Sequence, residues 1–297
     1  MYKRQHYDHL GLDDDGNIYP GADDNASGVS ILIEVASKLS RAFTPQRSIL
    51  FVAFSGEESG LLGSQYFIEN PPSGFDVKDY FAMINVDAVG RLEGKALQIF
   101  GTDSAYEWPF MAQGIGFTIG VQSEFPAETI ASGDHVSFLN AGVPAIHLFS
   151  GTHLDFHQLT DTTDKLDARG MSDIALWLEE ALVYLGDRID PLRVKLENAP
   201  QIEVRRQSGE RSASLGTVPD FAYSGEGVRI SGVTPQSAAA EAGLQAGDIL
   251  LTYDGENIAD MQSYSNFLRQ SSPGDTIEIN VNREGQEFFV EATLKTR

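Results

Sequence analysis

Apolar residues fall into short unbroken runs separated by stripes of helical period over the first 186 residues, and the texture then changes. Ile49 to Phe54 is apolar without alternation, which fits a strand of a parallel sheet covered on both faces. Tyr80 to Val86 and Val143 to Phe149 repeat that pattern, and Ala96 to Phe100 is a shorter run. Between them lie the stripes. Val29, Leu32, Ile33, Ala36 and Leu39 recur at helical spacing. Leu61, Leu62, Tyr66 and Phe67 are expected to face inward from a second helix over 60–70, and Ser104 to Ile115 forms a third with Pro109 at its middle or start. A long stripe from Met171 to Leu185 closes the series. Alternating strands and helices predict an α/β fold with a mostly parallel central sheet, in which 49–54 is the central strand.

Residues 187–212 are charged and patternless and are expected to be a linker between a domain at 1–186 and a domain at 213–297. After Ala213, short apolar runs are separated by glycine turns: Gly227 to Val233, Ile249 to Tyr253, Thr276 to Asn282 and Glu287 to Leu294. Helix candidates at 236–242 and 260–269 lie among them, so this half reads as a small β-rich domain with its own core.

Charge narrows the chemistry. The formal net charge of −22 argues against nucleic acid and anionic membrane surfaces as partners. With no cysteine, a metal site must use histidine and carboxylate ligands. No apolar run has the length of a transmembrane helix, and no signal peptide is visible. The amino end, MYKRQ, has no apolar run before His6, so the strand that would support that residue is expected to be missing from a truncated end.

Several acids stand where strands should end. Ser55 and Gly56 stop the run at 49–54, and Glu57 and Glu58 follow side by side. Carboxyl ends of strands are where open α/β sheets hold ligands, and two adjacent carboxylates repel unless a positive charge holds them. A strand-to-helix turn with acids in the first helical turn would look the same. Asp87 likewise ends the run at 80–86. In Gly21-Ala22-Asp23-Asp24-Asn25-Ala26-Ser27-Gly28, helix capping explains Ser27 well and the three polar residues before it poorly. In an extended segment His6 and Asp8 share a face, so Asp8 is expected to orient His6, while His9 points the other way and is read as structural. His147 is read as a strand histidine satisfied locally, and His153 and His157 both remain possible ligands.

Six stretches in one order resemble the dizinc aminopeptidase family that includes bacterial leucyl aminopeptidases and glutamate carboxypeptidase: HYDHLG (6–11), GADDNASG (21–28), GEESGLLGS (56–64), INVDAVG (84–90), SGDHVSFLNAGVPAI (132–146) and FHQLTDTTDKL (156–166). The resemblance covers roughly residues 5–186. It implies the zinc exopeptidase fold and two zinc ions per chain. His6 and Asp87 would bind one, Glu58 and His157 the other, and Asp24 would bridge them, with the Asp24–Asn25 peptide cis. Glu57 would be the general base and Asp8 the residue orienting His6. In the family the last ligand stands four residues before an Asp-Thr pair, which selects His157 over His153, given Asp161-Thr162. The activity implied is hydrolysis of N-terminal residues from peptides with a free amino end, in the periplasm or outside the cell. A glutaminyl-cyclase-like enzyme and an inactive peptidase-like binding module are the alternatives. The second domain resembles a bacterial protease-associated PDZ domain through residues 227–258 and 273–286. There Ser214-Leu215-Gly216-Thr217 would grip a peptide C-terminus or merely begin the domain.

Overall fold

Residues 2–13, 15–126, 133–196 and 212–296 are described by a computed structural model. They form two units, one of residues 2–151 with 157–196 and one of residues 152–156 with 212–296.

In the first unit, strands β1 (Tyr2–His6), β2 (Leu50–Phe54), β3 (Met83–Val86), β4 (Leu97–Phe100), β5 (Ser123–Glu124) and β6 (Ala145–Phe149) make one sheet in the order β2-β1-β3-β6-β4-β5. All neighbours run parallel except β4 and β6. Helices α1 (Gly28–Ala42), α3 (Trp108–Ile119) and α5 (Ala168–Asp187) share one core with Ile84 and Val86 of β3. On the other face α2 (Leu62–Glu69) and α4 (His135–Asn140) cover Met83. The alternation of side chains along a strand thus divides β3 between two cores. Pro109 lies in the first turn of α3, where its missing N–H costs nothing.

Four sequence expectations change here. A strand does precede His6: β1 sits between β2 and β3 and pairs with both. Its apolar signal is missing because ladder bonds on two sides order the backbone whatever the side chains are. Conversely, Leu50–Phe54 is an edge strand and not the central one, and only Phe54 in it is buried. Apolar content alone does not distinguish an edge position from an interior one. In α1 the inward face is Ile31, Leu32, Val35 and Leu39, whereas Ile33 is 63% exposed. Of the four residues expected to face inward around α2, Leu62 and Tyr66 lie outward, Phe67 is half-buried against the core under Met83, and Leu61 is buried just before the helix starts.

The expected linker begins later than residue 187. Leu192 is buried in the first core, and Glu107 takes Arg188 and Arg193 as ion-pair partners at 3.3 and 3.1 Å. The rest of that stretch, 197–211, lies outside the described residues. No helix among the described residues is long and apolar enough to cross a membrane.

The second unit contains β7 (Ala213–Ser214), β8 (Thr217–Pro219), β9 (Val228–Val233), β10 (Ile249–Tyr253), β11 (Glu256–Asn257), β12 (Thr276–Arg283), β13 (Gln286–Thr293) and β14 (Lys295–Thr296). The antiparallel order is β13-β12-β10-β9-β8, with β11 on β10 and a separate β14-β7 pair. Helices α6 (Ala238–Glu241) and α7 (Met261–Gln270) complete it. Its core is its own, built on Leu215, Ile230, Leu250, Leu268 and Ile279. Asp248, buried, is held by a two-pronged contact from Arg283 at 2.6 and 2.7 Å. We therefore expect residues 213–297, expressed alone, to melt in one cooperative transition; a gradual, non-cooperative melt would remove that boundary.

Candidate metal centre

Strands β1, β2 and β3 are parallel neighbours, so their carboxyl ends open on one edge of the sheet. Helices α1 and α2 leave to opposite faces, which makes this edge a place where the winding reverses and ligands can enter. His6 ends β1, Asp87 follows β3 at once, and Glu57 and Glu58 stand in the turn after β2.

The turn at Ala22–Ser27 brings Asp24 among them. His6 Nε2 lies 3.1 Å from Asp24 Oδ1 and 3.1 Å from Asp87 Oδ1. His157 Nε2 lies 2.9 Å from Asp24 Oδ2 and 3.2 Å from Glu58 Oε1. Asp24 Oδ1 therefore faces His6, which also meets Asp87, and Asp24 Oδ2 faces His157, which also meets Glu58.

The residues around Asp24 that capping does not explain hold this turn in place. The Asp24–Asn25 peptide is cis. Asn25 donates its Nδ2 to the Val86 carbonyl at 3.1 Å and accepts the Gly28 N–H at 3.1 Å, tying the turn to the end of β3. Asp23 accepts the Gly90 N–H. The fully buried Asp161 carboxylate accepts the Asp23 N–H at 3.0 and 3.1 Å and the Asp24 N–H at 3.2 Å. Asp161, in the sequence only a spacing marker, is thus a strut between the His157 loop and the Asp24 turn.

Two expectations about the first loop are corrected. His6 Nδ1 meets the main-chain carbonyl of Asp8 at 2.8 Å, not its carboxylate. The Asp8 carboxylate instead accepts the Gly56 N–H at 2.6 Å and so pins the turn that carries Glu57 and Glu58. His9 does not face away. Its Nδ1 comes within 3.1 Å of Glu58 Oε1, and its side chain is 8% exposed. Strand alternation does not apply to it, because β1 ends at His6 and the chain then leaves the ladder. His153 Nδ1 accepts the N–H of Asp155 at 3.2 Å. His147 accepts from Asn85 Nδ2 at 2.8 Å, and burial lowers it to about 4. Its ring packs on that of His135, with centroids 4.8 Å apart.

The electrostatics show a site that demands positive charge. Burial alone would lower His157, but Glu58 and Asp24 raise it to about 10. Burial likewise works against His6, and Asp87 and Asp24 hold it well above the usual imidazole range. Burial pushes Glu58 up and His157 more than reverses it, to about 2. Asp24, buried between two imidazoles, is held well below the carboxylate range by His157 and His6. Glu57 goes the other way: burial raises it, and Glu58, Asp87 and Asp134 add to that against the pull of His6. Protons on His6 and His157 supply the positive charge in this form, and divalent cations would replace them.

Geometry supports the same exchange. Among the described residues, Asp24 Oδ1, Glu58 Oε1 and His9 Nδ1 are buried without a hydrogen-bond partner. Buried polar atoms left so are costly, and a cation among them satisfies all three. The donors are imidazole nitrogens and carboxylate oxygens, the set zinc takes where cysteine is absent. Two clusters have donor atoms that all lie within 4.8 Å of one another: His6, Asp24 and Asp87, and His9, Asp24 and Glu58.

The sequence pattern described as Peptidase family M28 matches residues 4–181, more than half of the chain, and that of the PDZ domain matches residues 229–283. Leupeptin-inactivating enzyme 1 of Streptomyces exfoliatus is 33% identical over 132 residues, covering 44% of this chain and 29% of that protein. Aminopeptidase YwaD of Bacillus subtilis is 31% identical over 158 residues, covering 51% of this chain and 32% of that protein. A solved structure of BSAP, a zinc aminopeptidase from Bacillus subtilis, superimposes with a TM-score of 0.55 at 26% identity, over 68% of this chain and 48% of that one. The chain thus spans about a third of the length of those two curated relatives.

Proposed function

The chain belongs to peptidase family M28, and from that premise we propose that it is a zinc aminopeptidase that removes N-terminal residues from peptides with the help of two zinc ions. The observation that carries this reading is the two-sided placement of Asp24. His6, Asp87 and Asp24 would hold one zinc, and Asp24, Glu58 and His157 the other. When bound, the pair supplies acidification of the attacking water and polarisation of the scissile carbonyl.

The remaining work falls to this chain's own groups. Glu57 stands beside the ligands without being counted among them. It accepts the proton of the attacking water and returns it to the leaving amine. Burial and the surrounding acids raise its affinity for a proton, which suits a carboxylate that must hold one between two steps. Asp8, through Gly56, fixes the turn from which Glu57 and Glu58 project. Asn25 and Asp161 keep Asp24 between the two ligand pairs.

The PDZ unit would take a peptide C-terminus, in line with its domain family. In the loop named for that task, the Gly216 N–H is already taken by Ser214 Oγ at 3.1 Å, so the loop offers one donor fewer than the sequence suggests. Action in the periplasm or outside the cell belongs to the same proposal and rests on family resemblance.

Zinc-loaded protein should hydrolyse an aminoacyl anilide and leave its N-acetylated form intact. Cyclisation of a glutaminyl peptide without anilide hydrolysis would favour the cyclase-like alternative. Zinc binding with neither reaction would favour an inactive binding module.

A further inference from the structure

We propose that His9 is a fourth protein ligand of the second zinc, beside Asp24, Glu58 and His157, so that the two halves of the centre are unequal. This rests on the two-zinc reading above and adds to it a residue outside the ligand set that the family resemblance implies.

The first argument is distance. Zinc binds imidazole nitrogen and carboxylate oxygen at about 2.0–2.2 Å, so ligand atoms around one tetrahedral ion lie about 3.4 Å apart. His9 Nδ1 lies 3.1 Å from Glu58 Oε1, which itself lies 3.2 Å from His157 Nε2, both near that value. The second argument is direction. At 3.1 Å a nitrogen and a carboxylate oxygen are close enough to hydrogen-bond, yet neither His9 nitrogen has a partner in hydrogen-bond geometry among the described residues. Glu58 Oε1 is in the same condition, so the two atoms stand close together without bonding to each other. A purely structural imidazole at this depth would need a donor or acceptor of its own.

The fold also makes room for this ring. Gly21 has φ 61°, and a Cβ there would come within 2.8 Å of His9 Cγ and 2.5 Å of the Asp24 carbonyl. The residue that lets the turn bend toward the centre therefore also admits the imidazole. His157 meets His9 edge to face, with ring centroids 5.6 Å apart, so the two rings approach the same carboxylates from different directions.

The consequence is asymmetry. One half offers a single imidazole, His6, and the other offers two, His9 and His157. The second half should fill first and release its zinc last.

Titration of metal-free protein with zinc against a competing chelating dye, and with cobalt(II) followed by its d–d absorption, tests this. The wild type should show two ions per chain, one held more tightly. His9→Ala and the size-preserving His9→Gln should each weaken the tight site by at least about 10–100-fold, the loss already typical of changes one shell further out. They should alter the cobalt spectrum of that site and leave the weaker site's affinity unchanged. Metal-free melting curves of wild type and variants, expected to coincide, separate ligand loss from misfolding. Unchanged tight-site affinity and spectrum in either folded variant would overturn the assignment. Fewer than two ions in the wild type would instead sink the two-zinc reading and this assignment with it, a distinct result.

Discussion

Glu57→Gln is expected to keep its zinc and lose its turnover, whereas Glu58→Gln is expected to lose zinc as well. The two acids are adjacent in sequence, and the structure gives them opposite surroundings. Glu58 faces His157 at 3.2 Å, and that imidazole holds its carboxyl at about 2. It is a carboxylate held by a positive neighbour, and removing its charge would take a carboxylate oxygen from the zinc it is proposed to hold. Glu57 is raised well above the carboxylate range by burial, with Glu58 and Asp87 adding to it. Such a group exchanges a proton readily and suits a general base. Loss of a general base typically costs about 10²–10⁴-fold in kcat. The amide keeps the shape of the side chain, so the zinc content of Glu57→Gln should match the wild type. If both residues were only first-turn acids favoured by a helix dipole, both changes would cost about a few tenths of a kcal/mol of stability and leave turnover alone. Zinc content and kcat of the two variants decide between these. Zinc lost from Glu57→Gln and kept in Glu58→Gln would reverse the assignment.

The other large effect is expected at a residue that meets the Asp24 turn only through main-chain N–H groups. Asp161→Ala should lower the stability of the first unit by about 3 kcal/mol, because it leaves the buried N–H groups of Asp23 and Asp24 unsatisfied at about 1–3 kcal/mol each. For a unit of this size that is a fall in Tm of about 6–12 °C. It should also cut zinc affinity by about 10–100-fold, the usual cost of losing an outer support of a ligand. Asp161→Asn, which keeps one acceptor oxygen, should fall between Asp161→Ala and wild type on both measures. Calorimetry and zinc competition read the two effects separately, and a variant unchanged in both would show that Asp161 supports nothing.

Much of this site is legible in the amino-acid sequence, because its signals are local. An acid just after an apolar run marks the end of a strand, and Asp87 after β3 shows it directly. The polar density of residues 23–25 exceeds what one helix cap needs, and the excess proves to be the turn that presents Asp24. The fold class follows from the alternation of runs and stripes.

What the sequence hides depends on pairing and direction. β1 is a polar strand, YKRQH, whose support comes from neighbours on both sides. β2 is apolar, yet it lies at the edge, since composition says that a strand is covered and not where it stands. His9 escapes a reading by side-chain alternation because it lies past the end of β1. Residue types alone leave His153 and His157 open. The roles of Asp161 and Asn25 are contacts to main-chain groups, which no sequence spacing announces.

The central claim is that one carboxylate, Asp24, serves two zinc ions in a working peptidase. Elemental analysis of purified protein at increasing zinc, with hydrolysis of an aminoacyl anilide followed at each point, tests it most directly. The account predicts two zinc ions per chain at saturation in the wild type, activity that reaches its full value only with the second equivalent, and loss of both ions in Asp24→Ala. One zinc or none at saturation, or an Asp24→Ala protein that keeps both ions, would contradict it.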